Sequence, residues 1–397
     1  MKIFFLSDPK LLLFGFLLTF FSCYGQTFFI SIFNIEIRSF YNLSDGEFGL
    51  IYGLATITSS FVLIWFAKLI DKIDLRIYSF LICFGLAIAC LGMFYLIDIV
   101  LFLFLIIFFL RFFGQGAMGH ASDTTMARYF DINRGKALAV GNLGFMFGLI
   151  VFPLIAVSLI KNFNWQFVWL FSSLSIIILC IPILIYSLWN QNIRHKEFEK
   201  KITEEPNEKN LQTRDIIKDK KFFIYLPISI ATPFISTGLQ FHQIFIMNQK
   251  MWTLDLLAHG YIFLGIFSVI GLIFGGPIID KFNTKKVVLF SLMPLFFALI
   301  VLVFLNNNLS IFIYMSLLGL NLGISSPFIG ALWAELWGLK YIGSIKAILH
   351  ASAVFASALA PFVFGLLIDI GLGITSICIL SLVIVLISTY LPTKYYF

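Results

Sequence analysis

Arg111 is the residue whose type and place most need a chemical reason. It lies about twelve residues into an apolar run that opens near Ile99, which puts it near mid-bilayer if that run is a membrane helix rising about 1.5 Å per residue. A charge there costs several kcal/mol unless a partner or cavity meets it. Its planar guanidinium suits a carboxylate or similar oxyanion, or else holds backbone carbonyls of the first apolar helix. Further along the same run, His120 and Asp123 are three residues apart and share a helix face. They are candidates for proton relay, since histidine titrates near neutral pH, or for a static hydrogen-bonded pair. Gln115 lies on this same run, and Gln26, Thr237, Gln240 and Asn321 interrupt other apolar runs. Such groups either meet a solute or join helices to one another.

These residues need helices to position them. The chain has 397 residues, is 60% hydrophobic and only 12% charged, with 49 phenylalanines. That is about half the charge of a soluble protein, so the solvent for its apolar surface is lipid. Runs such as IVLFLFLIIFFL from Ile99 have no alternating polar face and exclude a membrane barrel. Helices remain, because they satisfy their own backbone in lipid. Asp8-Pro9 ahead of the first run reads as an N-cap with proline in the first turn, and the run is expected as a retained helix. The fold class is therefore all-α integral membrane, with twelve spans. Six precede a charged stretch at 190–220 and six follow it, giving bundles over 1–189 and 221–397 joined by a solvated linker.

Twenty-three of the 27 Lys and Arg fall in alternate loops, at the termini or in the linker. The positive-inside rule places all of these in the cytoplasm and the helices in the cytoplasmic (inner) membrane. The net charge of +7 thus marks topology and not a nucleic-acid partner. The five cysteines lie within apolar runs and read as small core residues. No phosphate-cradling loop, nucleophile elbow or metal-ligand cluster occurs, so neither an enzyme nor a cofactor or metal is expected.

The two halves repeat. Asp71 and Asp280 end the second and eighth runs 209 residues apart, and Gly135–Gly343 and Pro153–Pro361 are each separated by 208. A duplicated six-helix unit with parallel halves is the architecture of secondary transporters whose site lies near midplane.

With these residues in view, the chain resembles the major facilitator superfamily. Gly276, Asp280, Lys281, Lys285 and Lys286 match its loop pattern G-x-x-x-D-[RK]-x-G-x-[RK]-[RK], with Asn283 for the second glycine. The first half keeps Asp71, Lys72 and Arg76 but has Ala67 and Asp74 at the glycine positions. Arg111, Gln115 and Gly116 are similar to the fourth-helix R-x-x-Q-G pattern with one residue added. The loops around Arg134-Gly135-Lys136 and Glu335 to Gly343 look like those of monocarboxylate-porter-like and oxalate/formate-exchanger-like branches. The proline and glycine pair that mark drug–proton antiporters do not follow Gly144 and Gly148.

The resemblance implies a transporter working by alternating access, with a cavity lined by helices 1, 4, 7 and 10. Arg111, Gln26, Gln115, Gln240, Thr237, Asn321 and His350 are then the cavity candidates, and His350 lies where helices 4, 5, 10 and 11 would form an inner gate. It implies a gating role for Asp71, Lys72, Arg76, Arg134, Asp280 and Lys281, with Arg128, Arg134 and Lys136 as partners for Asp71. The expected partners are a small solute, the bilayer and protons as coupling ion. A fixed positive charge at Arg111 favours an organic anion such as a mono- or dicarboxylate; the alternatives are a neutral or cationic solute with Arg111 structural, or a sensor without flux.

Overall fold

The computed structural model describes residues 8–130, 133–202, 219–282, 290–337 and 342–396. Among them ten helices are long and apolar enough to cross a membrane, or eleven when a bent pair counts as one span. We number them α1 (the bent pair Pro9–Gly25 and Thr27–Tyr41), α2 (Asp45–Asp71), α3 (Leu75–Phe94), α4 (Val100–Tyr129), α5 (Arg134–Asn162) and α6 (Trp165–Ser187). The second set is α7 (Lys220–Phe241), α8 (Leu254–Lys281), α9 (Met293–Phe304), α10 (Ser310–Trp337), α11 (Ile342–Asp369) and α12 (Ile374–Tyr396). The twelfth expected span is α9, an apolar helix of 12 residues that begins after the turn at 290–292. The stretch expected as a linker carries a polar helix, Gln191–Ile202, before residues 203–218, which are not described.

Short polar side chains set where the helices begin. Asp8 accepts from Leu11 N at 3.1 Å with Pro9 in the first turn, Asn164 accepts from Phe167 N, and Thr253 from Leu256 N. Between these caps the helices are apolar on their outer faces too: Trp65, Phe61, Leu101, Ile178 and Ile273 are exposed. In water such surface would drive aggregation; in lipid it is the ordinary outside of a span.

The contacts divide the chain into two compact units, Met1–Tyr41 with Leu54–Asn207, and Asn42–Gly53 with Glu208–Phe397. In the first, α1 bends by 42° at Gly25-Gln26-Thr27, the place where polar residues interrupt its apolar run. Gln26 is extended there, with φ −89° and ψ 154°. The bend rests on α4: a Cβ on Gly25 would run into the Leu110 carbonyl oxygen and lie 2.8 Å from the Gly114 Cα, so glycine is required on both sides of this crossing. Opposite the bend, α4 is wound as a π-helix over Leu110–Met118, a rare geometry enriched at functional sites. Tyr24 on α1 also bonds Ser175 on α6 at 2.9 Å, and Ser122 on α4 donates to the Gly15 carbonyl at 3.0 Å.

In the second unit, α7 contains Pro227 and Pro233 yet runs helical to Phe241, breaks at His242 and resumes as Gln243–Gln249. Trp333 of α10 donates to Ser229 of α7 at 2.9 Å. The segment Asn42–Gly53 packs here too: its Phe48 and Tyr52 rings meet Phe241 at 5.1 and 4.7 Å between centroids.

Candidate functional site

The π turn of α4 aims Arg111 at the bend of α1. Its side chain is 2% exposed; Nη1 donates to the Gly25 carbonyl at 3.0 Å and Nε to Thr56 Oγ1 of α2 at 3.1 Å. The acceptor carbonyl belongs to the turn just before the bend, where helix geometry no longer supplies an amide partner. The guanidinium therefore completes the broken helix and fixes α1, α2 and α4 in register. A charge-assisted bond of this kind contributes about 1.5–3 kcal/mol, set against the several kcal/mol of desolvating the ion. Thr56 was not singled out in the sequence, where it is one hydroxyl in a long apolar run.

Gln26 sits half-buried at the bend and Gln115 half-buried in the π turn, one helical turn beyond Arg111. His120, three residues from Asp123, turns its Nε2 to Thr124 Oγ1 at 3.3 Å, while Asp123 is exposed. The α4 face expected to pair the two thus gives histidine a hydroxyl partner.

The second unit gathers neutral groups. Asn321 of α10 is fully buried; its amide donates to the Ser291 carbonyl at 3.0 Å and its Oδ1 accepts from Thr232 of α7 at 3.0 Å. Ser325 lies 3.3 Å from the same Thr232 hydroxyl. Asn321 thus ties α7 and α10 to the residues that open α9. Thr237 and Gln240 are half-buried further along α7, and His350 is exposed on α11.

At the far end of α2, Asp71 is paired with Arg128 of α4. Of the three expected partners it is Arg128 that meets the acid; Arg134 Nε instead donates to the Ala127 carbonyl at 3.1 Å, and Lys136 reaches Asn133 at 3.1 Å. Lys72 is exposed. Arg76 holds Asp74 at 2.8 and 3.0 Å, and that guanidinium keeps the Asp74 carboxyl below the usual carboxylate range. Asp74, in a glycine position of the loop pattern, also caps α3 by accepting from Arg76 N at 2.8 Å. Asp280 and Lys281 close α8, the latter 5.7 Å from the Phe282 ring, while Lys285, Lys286 and Lys340 lie outside the described residues. Arg194 forks onto Asp8 at 2.5 and 2.7 Å, a pairing invisible in sequence because the partners are 186 residues apart.

The comparisons with known proteins agree with this geometry. Among curated proteins none matches the chain significantly. The structure is similar to the crystal structure of the nucleoside transporter NupG, with a TM-score of 0.72 at 14% identity over 98% of both chains. It is similar as well to a bacterial homologue of the human lysosomal transporter Spinster in an inward-facing and occupied conformation, with a TM-score of 0.67 at 13% identity over 97% of this chain and 95% of that one. At such identities the likeness is one of fold. The family model of the Major Facilitator Superfamily matches residues 15–264, most of the chain, and with the apolar helices and the internal repeat it establishes that the protein belongs to the Major Facilitator Superfamily of membrane transporters.

Proposed function

We propose that the protein is a secondary active transporter that moves a small polar solute across the cytoplasmic membrane by alternating access between its two six-helix halves, held in the solute site by hydrogen bonds and not by a fixed counter-charge. The observation that carries this is the engagement of Arg111: its Nε and Nη1 are bound to Thr56 and to the carbonyl at the α1 bend, in a side chain 2% exposed. The half-buried amides of Gln26 and Gln115, in the same unit as Arg111, are groups suited to a neutral ligand. Distribution of 23 of 27 basic residues supports cytoplasmic termini.

The organic-anion reading is retained as the second, because Arg111 stands beside the bend where α1 has exposed its backbone, so a solute carboxylate could replace the Gly25 carbonyl as acceptor. Counterflow into proteoliposomes of labelled uridine, a hexose, acetate, succinate and choline separates the two. The expected result is exchange of a neutral solute that persists in Arg111→Lys, which keeps a donor at the bend. Exchange confined to acetate or succinate and lost in that variant would establish the anion reading instead.

A further inference from the structure

A shallow crevice between α3 and α6 opens on the outer surface of the first unit. Cys83 of α3 and Leu188 at the end of α6 are buried in its floor, while Phe80 and Ile185 stand on its rims, 43% and 49% exposed. Phe84, one turn deeper, stacks on Phe80 at 5.5 Å between centroids and extends the α3 rim. From Arg76 to Cys83 is seven residues, as it is from Ile181 to Leu188, so the crevice runs about 10 Å along both helices, roughly a third of the hydrocarbon thickness. At its deep end α6 changes winding, being a π-helix over Ile176–Cys180 with Pro182 in the turn that follows.

The polar members of the lining, Arg76 and Ser79, are at the mouth. Ser79 gives its hydroxyl to the Leu75 carbonyl at 2.6 Å. Arg76 is engaged on one side: Nε and Nη2 hold Asp74, and Nη2 also donates to Asn192 of the polar helix at 2.5 Å. Nη1 carries two further hydrogens that meet no acceptor among the described residues. Lys72, four residues before Arg76, and Lys196, one turn beyond Asn192, are exposed, so cations outnumber the Asp74 carboxylate around the mouth. Trp189, next to Leu188, is 73% exposed, and tryptophan in that setting marks headgroup level. This is the end of the unit whose basic loops the positive-inside rule assigns to the cytoplasm. Interfacial ring, cation with spare donors and apolar slot follow one another in the order of headgroup region, phosphate and acyl chain, and basic pockets between spans on that side suit anionic lipid. A free phosphate would leave the slot empty, and a chain without phosphate would leave Nη1 unsatisfied.

We propose that this crevice binds one anionic glycerophospholipid of the cytoplasmic leaflet, with its phosphate on Arg76 Nη1 and the upper part of one acyl chain between Phe80 and Ile185. Because the same guanidinium holds Asn192, the bound lipid joins α3 to the polar helix that follows α6. The site involves no solute and is independent of the transport reading above.

Native mass spectrometry of the purified full chain in detergent tests it, with titration of palmitoyl-oleoyl phosphatidylglycerol, the matching phosphatidylcholine, or inorganic phosphate. One phosphatidylglycerol is expected to be retained, phosphatidylcholine to bind about tenfold more weakly, and phosphate not to bind. Arg76→Gln should weaken phosphatidylglycerol by about tenfold or more. Ile185→Trp fills the slot with Arg76 in place and should weaken both lipids; its position is exposed, so it decides the matter if Arg76→Gln does not fold. Lys161→Gln, a basic residue lost from the opposite end of the unit, should bind as the wild type does. Equal affinity for the two lipids, or phosphatidylglycerol affinity unchanged in both Arg76→Gln and Ile185→Trp, overturns the site. Phosphate that binds as tightly as phosphatidylglycerol, and equally in Ile185→Trp, would make the mouth an ion site and overturn the lipid.

Discussion

The internal repeat brings the two halves into register at one helix crossing and shows two solutions to it. An offset of 208 carries Arg111 onto Gly319 and Thr56 onto Leu264. In the first half, the α4 position sends a long charged side chain to the Thr56 hydroxyl and on to the bend of α1. In the second half the matching α10 position has no side chain, and a Cβ there would run into the Leu264 carbonyl oxygen of α8. One crossing is spanned by a cation and the other is closed by backbone against backbone. The same offset places Gly25, where α1 bends, on Pro233, where α7 stays helical. A half whose α1 has lost its internal hydrogen bonding at this position needs an added donor, and Arg111 supplies it; a half whose α7 stays helical through the matching position uses the neutral Asn321 to join helices.

Close backbone contact gives the largest expected effect. Gly319→Leu places its side chain against the Leu264 carbonyl, which a helix backbone cannot move aside, so it should cost more than about 3 kcal/mol. Gly25→Leu meets the Leu110 carbonyl in the same way. Both should abolish monodisperse protein on size-exclusion chromatography in detergent. If Gly319→Leu elutes and melts as the wild type does, the second crossing is not closed by backbone and the contrast fails.

Next in size is the exchange of polar ties for apolar ones. Arg111→Met strands the Gly25 carbonyl and the Thr56 hydroxyl, about 1–3 kcal/mol for each buried group, partly offset by removing a desolvated charge. Asn321→Leu strands the Ser291 carbonyl but leaves Thr232 with Ser325, so about 1–2 kcal/mol is expected. Thermal denaturation of the two variants side by side checks the order. Equal losses would mean that the charge at Arg111 adds nothing beyond its hydrogen bonds.

Much of this fold was legible because lipid imposes a simple rule: apolar length becomes helix. The Asp8-Pro9 start, the interruption at Gly25-Gln26-Thr27 and Arg111 as the buried charge could all be read from residue type and position. What Arg111 touches could not, since Thr56 is 55 residues away and differs from its neighbours by one hydroxyl. Asp45 illustrates the same limit. In sequence it is an acid in the first turn of a helix, a common electrostatic preference; only the fold brings it to His242, nearly two hundred positions on. The pairing of Asp71 with Arg128 and not Arg134 was likewise undetermined, because three cations lay within reach of one loop.

The smallest effect concerns the loop after α2, where the halves differ again: the first carries Asp74 at a position where the family pattern has glycine. The Arg76 guanidinium depresses the Asp74 carboxyl, first through their hydrogen bond. A carboxyl whose folded pKa lies below its unfolded value stabilises the fold above that unfolded value, about 3.9, and loses the contribution as pH falls through the folded one. The side chains of Asp74 and Arg76 are 32% and 36% exposed, so solvent screens the pair and limits it to about 0–1 kcal/mol. Asp74→Asn should therefore lower the Tm by no more than about 2 °C at neutral pH, and by progressively less as the pH falls through the depressed folded pKa and the wild-type acid takes up its proton. Because asparagine still caps the α3 amide at Arg76, the difference isolates the charge from the cap. A loss that persists undiminished at the acid end would show that Asp74 acts through backbone geometry alone, which a glycine at that position would also provide.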